Sequence, residues 1–170
     1  MISNAYEQDF VEETASVVKP YHYTGCGLPN VYLVGVKFKS FKDGEQSAEI
    51  PSLPDLLKAI ATALVGKATP LTGGEVRFLR KRMGFSSSTF AEIIGTNPQH
   101  YSRLENSVVP LQIQTEKLIR LLYTVTAKLP KVAQKVATTK WEAGFDHKQN
   151  IIASKDTSHV WHVQFDSVAA

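Results

Sequence analysis

Apolar residues in the middle of the chain recur with a helical period, and glycines and capping residues cut that period into short pieces. From Leu71 to Asn106, LTGGEVRFLRKRMGFSSSTFAEIIGTNPQHYSRLEN, the pattern predicts three short helices. Val76, Leu79, Arg80 and Met83 share one face of the first. Thr72 and Glu75 form a T-x-x-E capping box in front of it, and Gly84 stops it. Ser86 can cap a second helix, Ser87 to Ile94, with Phe90, Ala91 and Ile94 facing inward, and Gly95 ends it. Asn97 caps the third. Pro98 takes its first position, where a missing N–H costs nothing. Tyr101 and Leu104 turn inward, so Gln99, His100, Ser102 and Arg103 are left for the outer face.

The flanks carry other periods. Ser52 to Lys67 places Leu53, Leu56, Leu57, Ile60 and Leu64 at helical spacing, with Pro54 tolerated in the first turn. Thr115 to Lys128 offers Leu118, Ile119, Leu122 and Val125 as one apolar stripe that closes the helical unit. Pro130 is expected to end it, with Lys131, Lys135 and Lys140 on a further helical stretch. Tyr21-His22-Tyr23 precedes a turn-rich connection. Val31 to Phe41, VYLVGVKFKSF, reads as a strand returning through an Asp43-Gly44 turn into Gln46 to Ile50. Such a hairpin is marginal alone and must pack on the helices or on a second subunit. In the tail, Asn150 to Ala153 and Ser158 to Phe165 read as two strands around a turn at Lys155–Thr157. The expected fold is α+β. It divides into an N-terminal β-hairpin region (1–51), a helical domain (52–128, core 71–123) and a C-terminal extension with two short strands (129–170). Residues 1 to about 19 are acidic, without clear periodicity, and predict a frayed arm or short helix.

With 43% apolar and 21% charged residues, the 170-residue chain is globular in composition. Its formal charge of +3 is unevenly placed. Lys+Arg against Asp+Glu gives 4 − 7 = −3 over residues 1–50, 7 − 4 = +3 over 51–110 and 8 − 5 = +3 over 111–170. The positive excess thus lies from residue 51 onward, half of it in the segment that holds the three short helices, as phosphate contact requires. One cysteine, Cys26, excludes an internal disulfide and a cysteine-rich zinc module. No apolar run approaches membrane-spanning length, and Glu7, Asp9, Glu12 and Glu13 make the N-terminus unlike a signal peptide, so a cytoplasmic protein with no membrane partner is expected.

A helix, a three-residue break at Gly95–Asn97 and a second helix with a polar, basic outer face form the helix-turn-helix pattern. Double-stranded DNA is the partner such a face suits. Gln99 can bracket adenine, and Arg103 can bracket guanine or clamp a phosphate; His100 sits beside them. Ser86, Ser88 and Asn106 are expected phosphate contacts, where hydroxyls, amides and helix N-termini set register, and Ser102 belongs to the same face. Arg77, Lys81 and Arg82 read as basic surface.

The segment LRKRMGFSSSTFAEIIGTNPQHYSRLEN resembles the DNA-binding domain of the Cro/CI class of repressors, also called XRE-like, in its ungapped run of L-R, G, S, an apolar-Ala pair, G and a final L-E. The resemblance covers about Leu71 to Tyr123 and implies a lambda-repressor-like helical domain. It implies that Pro98, Gln99 and Arg103 stand at base-contacting positions, and Ser87 at the position opening the second helix that is commonly glutamine; Ser87 and Pro98 depart from the usual residues there. It also implies that Arg80 pairs with Glu105, bracing the first helix to the third. PLTGGEVRFLRKRMGFSSSTFAEIIG with YSRLEN and VVPLQIQTEKLIRLL is similar to the C-terminal half of MqsA-type antitoxins, which also act as repressors. Those carry a cysteine-rich zinc domain in front; this chain has one cysteine.

Two functions from different classes follow. The first is a sequence-specific transcriptional repressor binding an inverted repeat as a homodimer, with the β-hairpin and C-terminal strands as candidate dimer surfaces. The second is an antitoxin-like or adaptor protein whose flanks bind a toxin-like partner and which regulates its own operon. A zinc site from His22 and Cys26 with His147, His159 or His162 lacks the paired close spacing of structural zinc ligands, and a free thiol with ordinary histidines is the better reading. No Ser/His/Asp order, phosphate loop or carboxylate pair stands out, so neither an enzyme nor a cofactor is expected.

Overall fold

The computed structural model describes residues 10–11, 19–41, 44–139 and 149–167. Its order is β1 (Phe10–Val11), β2 (Tyr21–His22), β3 (Val31–Val34), β4 (Lys37–Phe41), β5 (Gln46–Glu49), α1 (Leu53–Gly66), α2 (Gly73–Arg82), α3 (Ser87–Ile93), α4 (Pro98–Glu105), α5 (Ile113–Thr126), α6 (Pro130–Thr138), β6 (Gln149–Lys155) and β7 (Trp161–Ser167). The fold is α+β. Among the described residues, six helices accompany two small sheets, ordered β1-β4-β5 and β2-β3-β6-β7.

The β4–β5 hairpin forms as the sequence predicts, with Gly44 at φ +84° in its turn. The strand before it does not run through. Gly35 at φ +75° breaks Val31–Phe41 into β3 and β4, which join different sheets. β3 pairs in parallel with β6, with Val31 beside Ile151 and Val34 beside Ser154. Segments from both flanks of the helical region thus share one sheet. Its inner face buries Val31, Leu33, Ile151 and Ala153 near Leu56, Ile60 and Leu64 of α1.

Three other expectations need correction. Lys128, at φ +55°, ends α5, while Pro130 opens α6 at a position where its ring fits. On α5 only half of the expected apolar stripe faces the core: Ile119 is buried and Leu122 packs against the core, beside buried Glu116, Arg120 and Tyr123, whereas Leu118 is 39% and Val125 72% exposed. The cause is Arg120, fully buried. Its Nη1 donates to the carbonyls of Leu64, Val65 and Lys67 at 3.2, 2.9 and 2.8 Å, and its Nη2 to Thr69 O at 2.9 Å and Glu116 Oε1 at 2.5 Å. The open carbonyls at the end of α1 need donors, and this guanidinium supplies them. Glu116 also accepts from Leu71 N at 2.9 Å, so the pair fixes the connection from α1 to α2. In the tail, β7 starts at Trp161, three residues later than the sequence suggests, because Asp156–Val160 forms the turn: Asp156 N donates to Val160 O, and Val160 N to Asp156 Oδ1. Among the described residues, no helix is long and apolar enough to cross a membrane.

Candidate functional site

The polar face of α4 is held from beneath by an ion-paired frame. α2 begins with the capping box that the sequence encodes. Thr72 Oγ1 accepts from Glu75 N at 3.2 Å, and Glu75 Oε2 accepts from Thr72 N at 2.8 Å. Glu75 is also paired with Lys67 Nζ, 2.6 Å from Oε2, with both side chains buried. At the same end, a Cβ on Gly73 would lie 2.6 Å from Glu105 O, so only glycine lets α2 approach the end of α4 this closely.

From the other end of α2, Arg80 reaches α4. Its Nε donates to Glu105 Oε1 at 2.7 Å and its Nη2 to Oε2 at 3.2 Å, while Nη1 donates to Phe85 O at 2.8 Å. Tyr101 Oη, one turn back on α4, donates to Glu105 Oε1 at 2.7 Å. Burial pushes the Glu105 carboxyl up. The hydrogen bonds from Arg80 and Tyr101 and the charges of Arg80 and Arg77 outweigh it, and the group settles below the usual glutamate range. The Tyr101 hydroxyl is pushed well up, first by burial and then by the Glu105 carboxylate it donates to. The hydrogen bond to Glu105 in turn raises Arg80. All three groups therefore keep their protonation states at neutral pH, and α4 is locked in roll and depth.

α3 and α4 are set by local caps. Ser86 Oγ accepts from Thr89 N at 3.1 Å, and Asn97 Oδ1 accepts from His100 N at 2.7 Å. Gly95 turns the chain between them at φ +71°, with Thr96 N donating to Ala91 O at 2.9 Å. Phe90 packs edge-on to Tyr101 with ring centres 5.6 Å apart, and Phe90, Ala91, Tyr101 and Leu104 are buried.

The outer face is left free. Gln99, His100, Ser102 and Arg103 are exposed along α4, and the side chains of Gln99 and Arg103 make no hydrogen bond or ion pair among the described residues. Pro98 and Ser88 are exposed, and Ser87 is half-buried. Two of the phosphate-type residues are partly committed. Ser86 Oγ serves its cap and lies 3.0 and 2.8 Å from the Ser88 and Thr89 hydroxyls. Asn106 Nδ2 donates to Ser102 O at 2.8 Å, and its Oδ1 accepts from Arg77 Nη2 at 2.7 Å. Arg77 is therefore no plain surface cation: Nε also lies 3.4 Å from Glu105 Oε2, which makes it a second tie between α2 and α4. Lys81 and Arg82 are exposed and make no ion pair among the described residues.

The histidines and the cysteine lie elsewhere. His22 Nε2 is 2.6 Å from Pro29 O, and its ring stacks on Tyr32. Cys26 is half-buried, and burial pushes its thiol up, which opposes thiolate chemistry. His162 pairs with Asp156 at 2.7 Å, and His159 sits in the β6–β7 turn at φ +65°. His147 lies outside the described residues. Among the described residues, no three His, Cys, Asp or Glu side chains cluster as a metal site. Compared with protein-family models, with curated proteins and with solved structures, the chain finds no match.

Proposed function

We propose that this chain is a sequence-specific DNA-binding transcriptional regulator, a repressor that reads an inverted-repeat operator as a homodimer. In this reading α3 and α4 are a helix-turn-helix of the Cro/CI kind, and α4 enters the major groove. The observation that carries it is the division of α4 into two faces. Tyr101, Leu104 and Glu105 are clamped against α2 and α3, while Gln99 and Arg103 stand exposed and uncommitted on the other side.

That division is what base reading needs. A side chain discriminates bases only when its helix is fixed at a set depth, and a helix already fixed loses little further entropy on binding. The Arg103 guanidinium can present two parallel donors to guanine, and the Gln99 amide a donor and an acceptor to adenine. His100, Ser102 and the exposed Ser88 flank them and suit the backbone. Lys81 and Arg82 add positive charge on α2. One α4 reaches only a few base pairs, too few for useful selectivity, so two copies on a two-fold axis are required.

The test is selection of bound duplexes from a random pool with the full chain. A palindromic or near-palindromic consensus is expected, with half-sites about one helical turn apart and affinity falling steeply as salt rises. A pool that yields no enriched sequence contradicts the proposal.

A further inference from the structure

The four-stranded sheet ends on one side at β7, a seven-residue edge without proline. Its hydrogen-bonding parity can be read from two contacts. Asp156 N donates to Val160 O, and Ile151 N points the other way, donating to Asn30 O at 2.8 Å. Antiparallel pairs alternate along a ladder. With the register Ile151↔Phe165 and Ile152↔Gln164, the amides and carbonyls of His162, Gln164 and Asp166 therefore face β6. Those of Trp161, Val163 and Phe165 face outward, and among the described residues no strand meets them. Along the first half of this edge runs an open groove of about 550 Å³, between Ala59, Thr62 and Ala63 of α1 and Trp161 and Val163 of β7. The groove is of mixed character, with Asp55, Lys58 and His162 also lining it, and the unpaired backbone groups of the edge strand beside it are a template for another strand.

We infer that β7 pairs antiparallel with β7 of a second copy, with Gln164 on the two-fold axis, and joins two four-stranded sheets into one. Three features favour a second copy of this chain. The outward-facing residues are all odd-numbered, so only registers that match odd with odd residues satisfy both edges. Of these, the register centred on Gln164 sets Val163 opposite the partner's Phe165, on the side of the sheet that carries α1, where the groove lies. The same register sets exposed His162 opposite the partner's exposed Asp166, twice by symmetry. Centring on Val163 would set His162 against Gln164, and centring on Phe165 would set Gln164 against Asp166; neither sets a histidine against a carboxylate. His162 Nε2 lies 2.7 Å from Asp156 Oδ2, and only as an imidazolium, with both ring nitrogens donating, can it also present Nδ1–H to the partner's carboxylate. The contact is isologous and closes at two copies, as a two-fold operator requires. It deepens the proposed reading by giving the dimer a surface, but it stands or falls on its own geometry.

The test uses full-length protein without DNA. Sedimentation of the wild type should show a species of twice 18.8 kDa. In a Cys26→Ser background, Gln164→Cys should form an intermolecular disulfide under mild oxidation, because non-hydrogen-bonded antiparallel partners stand about 4.5 Å apart at Cα. Asp166→Cys alone should not cross-link, whereas mixed with His162→Cys it should. As a readout independent of cysteine chemistry, Asp166→Lys should weaken the dimer on the order of tenfold or more, and adding His162→Glu should restore it. A monomeric wild type, or a dimer that Gln164→Cys fails to cross-link (one built on the exposed α5 face, for instance), overturns the inference. Sequence-specific DNA binding that persists in either case would leave the functional proposal intact, and a cross-linked dimer without specific DNA binding would remove that proposal alone.

Discussion

Arg80 on α2 and Glu105 on α4 meet through two hydrogen bonds, Nε to Oε1 at 2.7 Å and Nη2 to Oε2 at 3.2 Å, with both side chains largely buried. Removing Arg80 leaves the buried Glu105 carboxylate with only the Tyr101 hydroxyl and the more exposed, longer contact to Arg77. Arg80→Ala should therefore cost about 3–5 kcal/mol of stability. For a chain of this size that lowers Tm by roughly 6–20 °C, measurable by calorimetry. Arg80→Lys should recover only part of it, since an ammonium cannot reproduce the fork that also reaches Phe85 O.

The same pair sets an acid dependence. Burial raises the Glu105 carboxyl, but Arg80 and Tyr101 lower it further, so its folded pKa lies below the unfolded one. An unfolded chain then binds the proton more readily than the folded one. The stabilisation is complete above the ordinary glutamate range and is lost as pH falls through the depressed folded value. Urea titrations at descending pH should show this loss in the wild type and a shallower acid limb in Glu105→Gln.

Arg120 predicts a second, separate core of polar stability. Arg120→Leu strands the carbonyls of Leu64, Val65, Lys67 and Thr69 together with Glu116. A loss of about 3–5 kcal/mol is expected, although leucine is the better helix-core residue by composition. If denaturant midpoints show the substitution to be neutral, the guanidinium is not what holds α1 to α5.

Two adjacent glycines should behave oppositely. Gly73→Ala drives a Cβ into Glu105 O, 2.6 Å away, and should cost about 1–3 kcal/mol. At Gly74 the nearest atom to such a Cβ is 3.9 Å away, so Gly74→Ala should be neutral or stabilise α2 by about 0.5–1 kcal/mol. Thermal melts of the two variants compare them directly.

Short-range signals made the centre of the chain legible. Thr72 with Glu75, Ser86, Asn97-Pro98, Gly84 and Gly95 act within a few residues, and the caps and turns form where they stand. What escaped depends on distant partners. Nothing near Arg120 in sequence tells that carbonyls more than fifty positions away require it, so counting apolar residues selects Leu118 and Val125 as core. The pairing of β3 with β6 spans more than a hundred residues, and Gly35 splits a stretch whose composition is uniformly strand-like. At the candidate interface, the exposed set Gln99, His100, Ser102 and Arg103 follows from helical period alone. The commitment of Arg77 to Glu105 and Asn106 does not, because a basic residue on a helix flank reads the same paired or free.

The most direct measurement is the affinity of the full chain for its selected duplex and for a random one, for wild type, Gln99→Ala, Arg103→Ala and the double variant. Each single change should cost about 1–3 kcal/mol of specific binding, roughly 5–150-fold in Kd. Thermal stability should be unchanged, because both side chains are exposed and unpartnered among the described residues. Binding to the random duplex should persist in Gln99→Ala, which removes no charge. Specific binding by the double variant at the wild-type level would contradict the assignment of α4 as the reading helix.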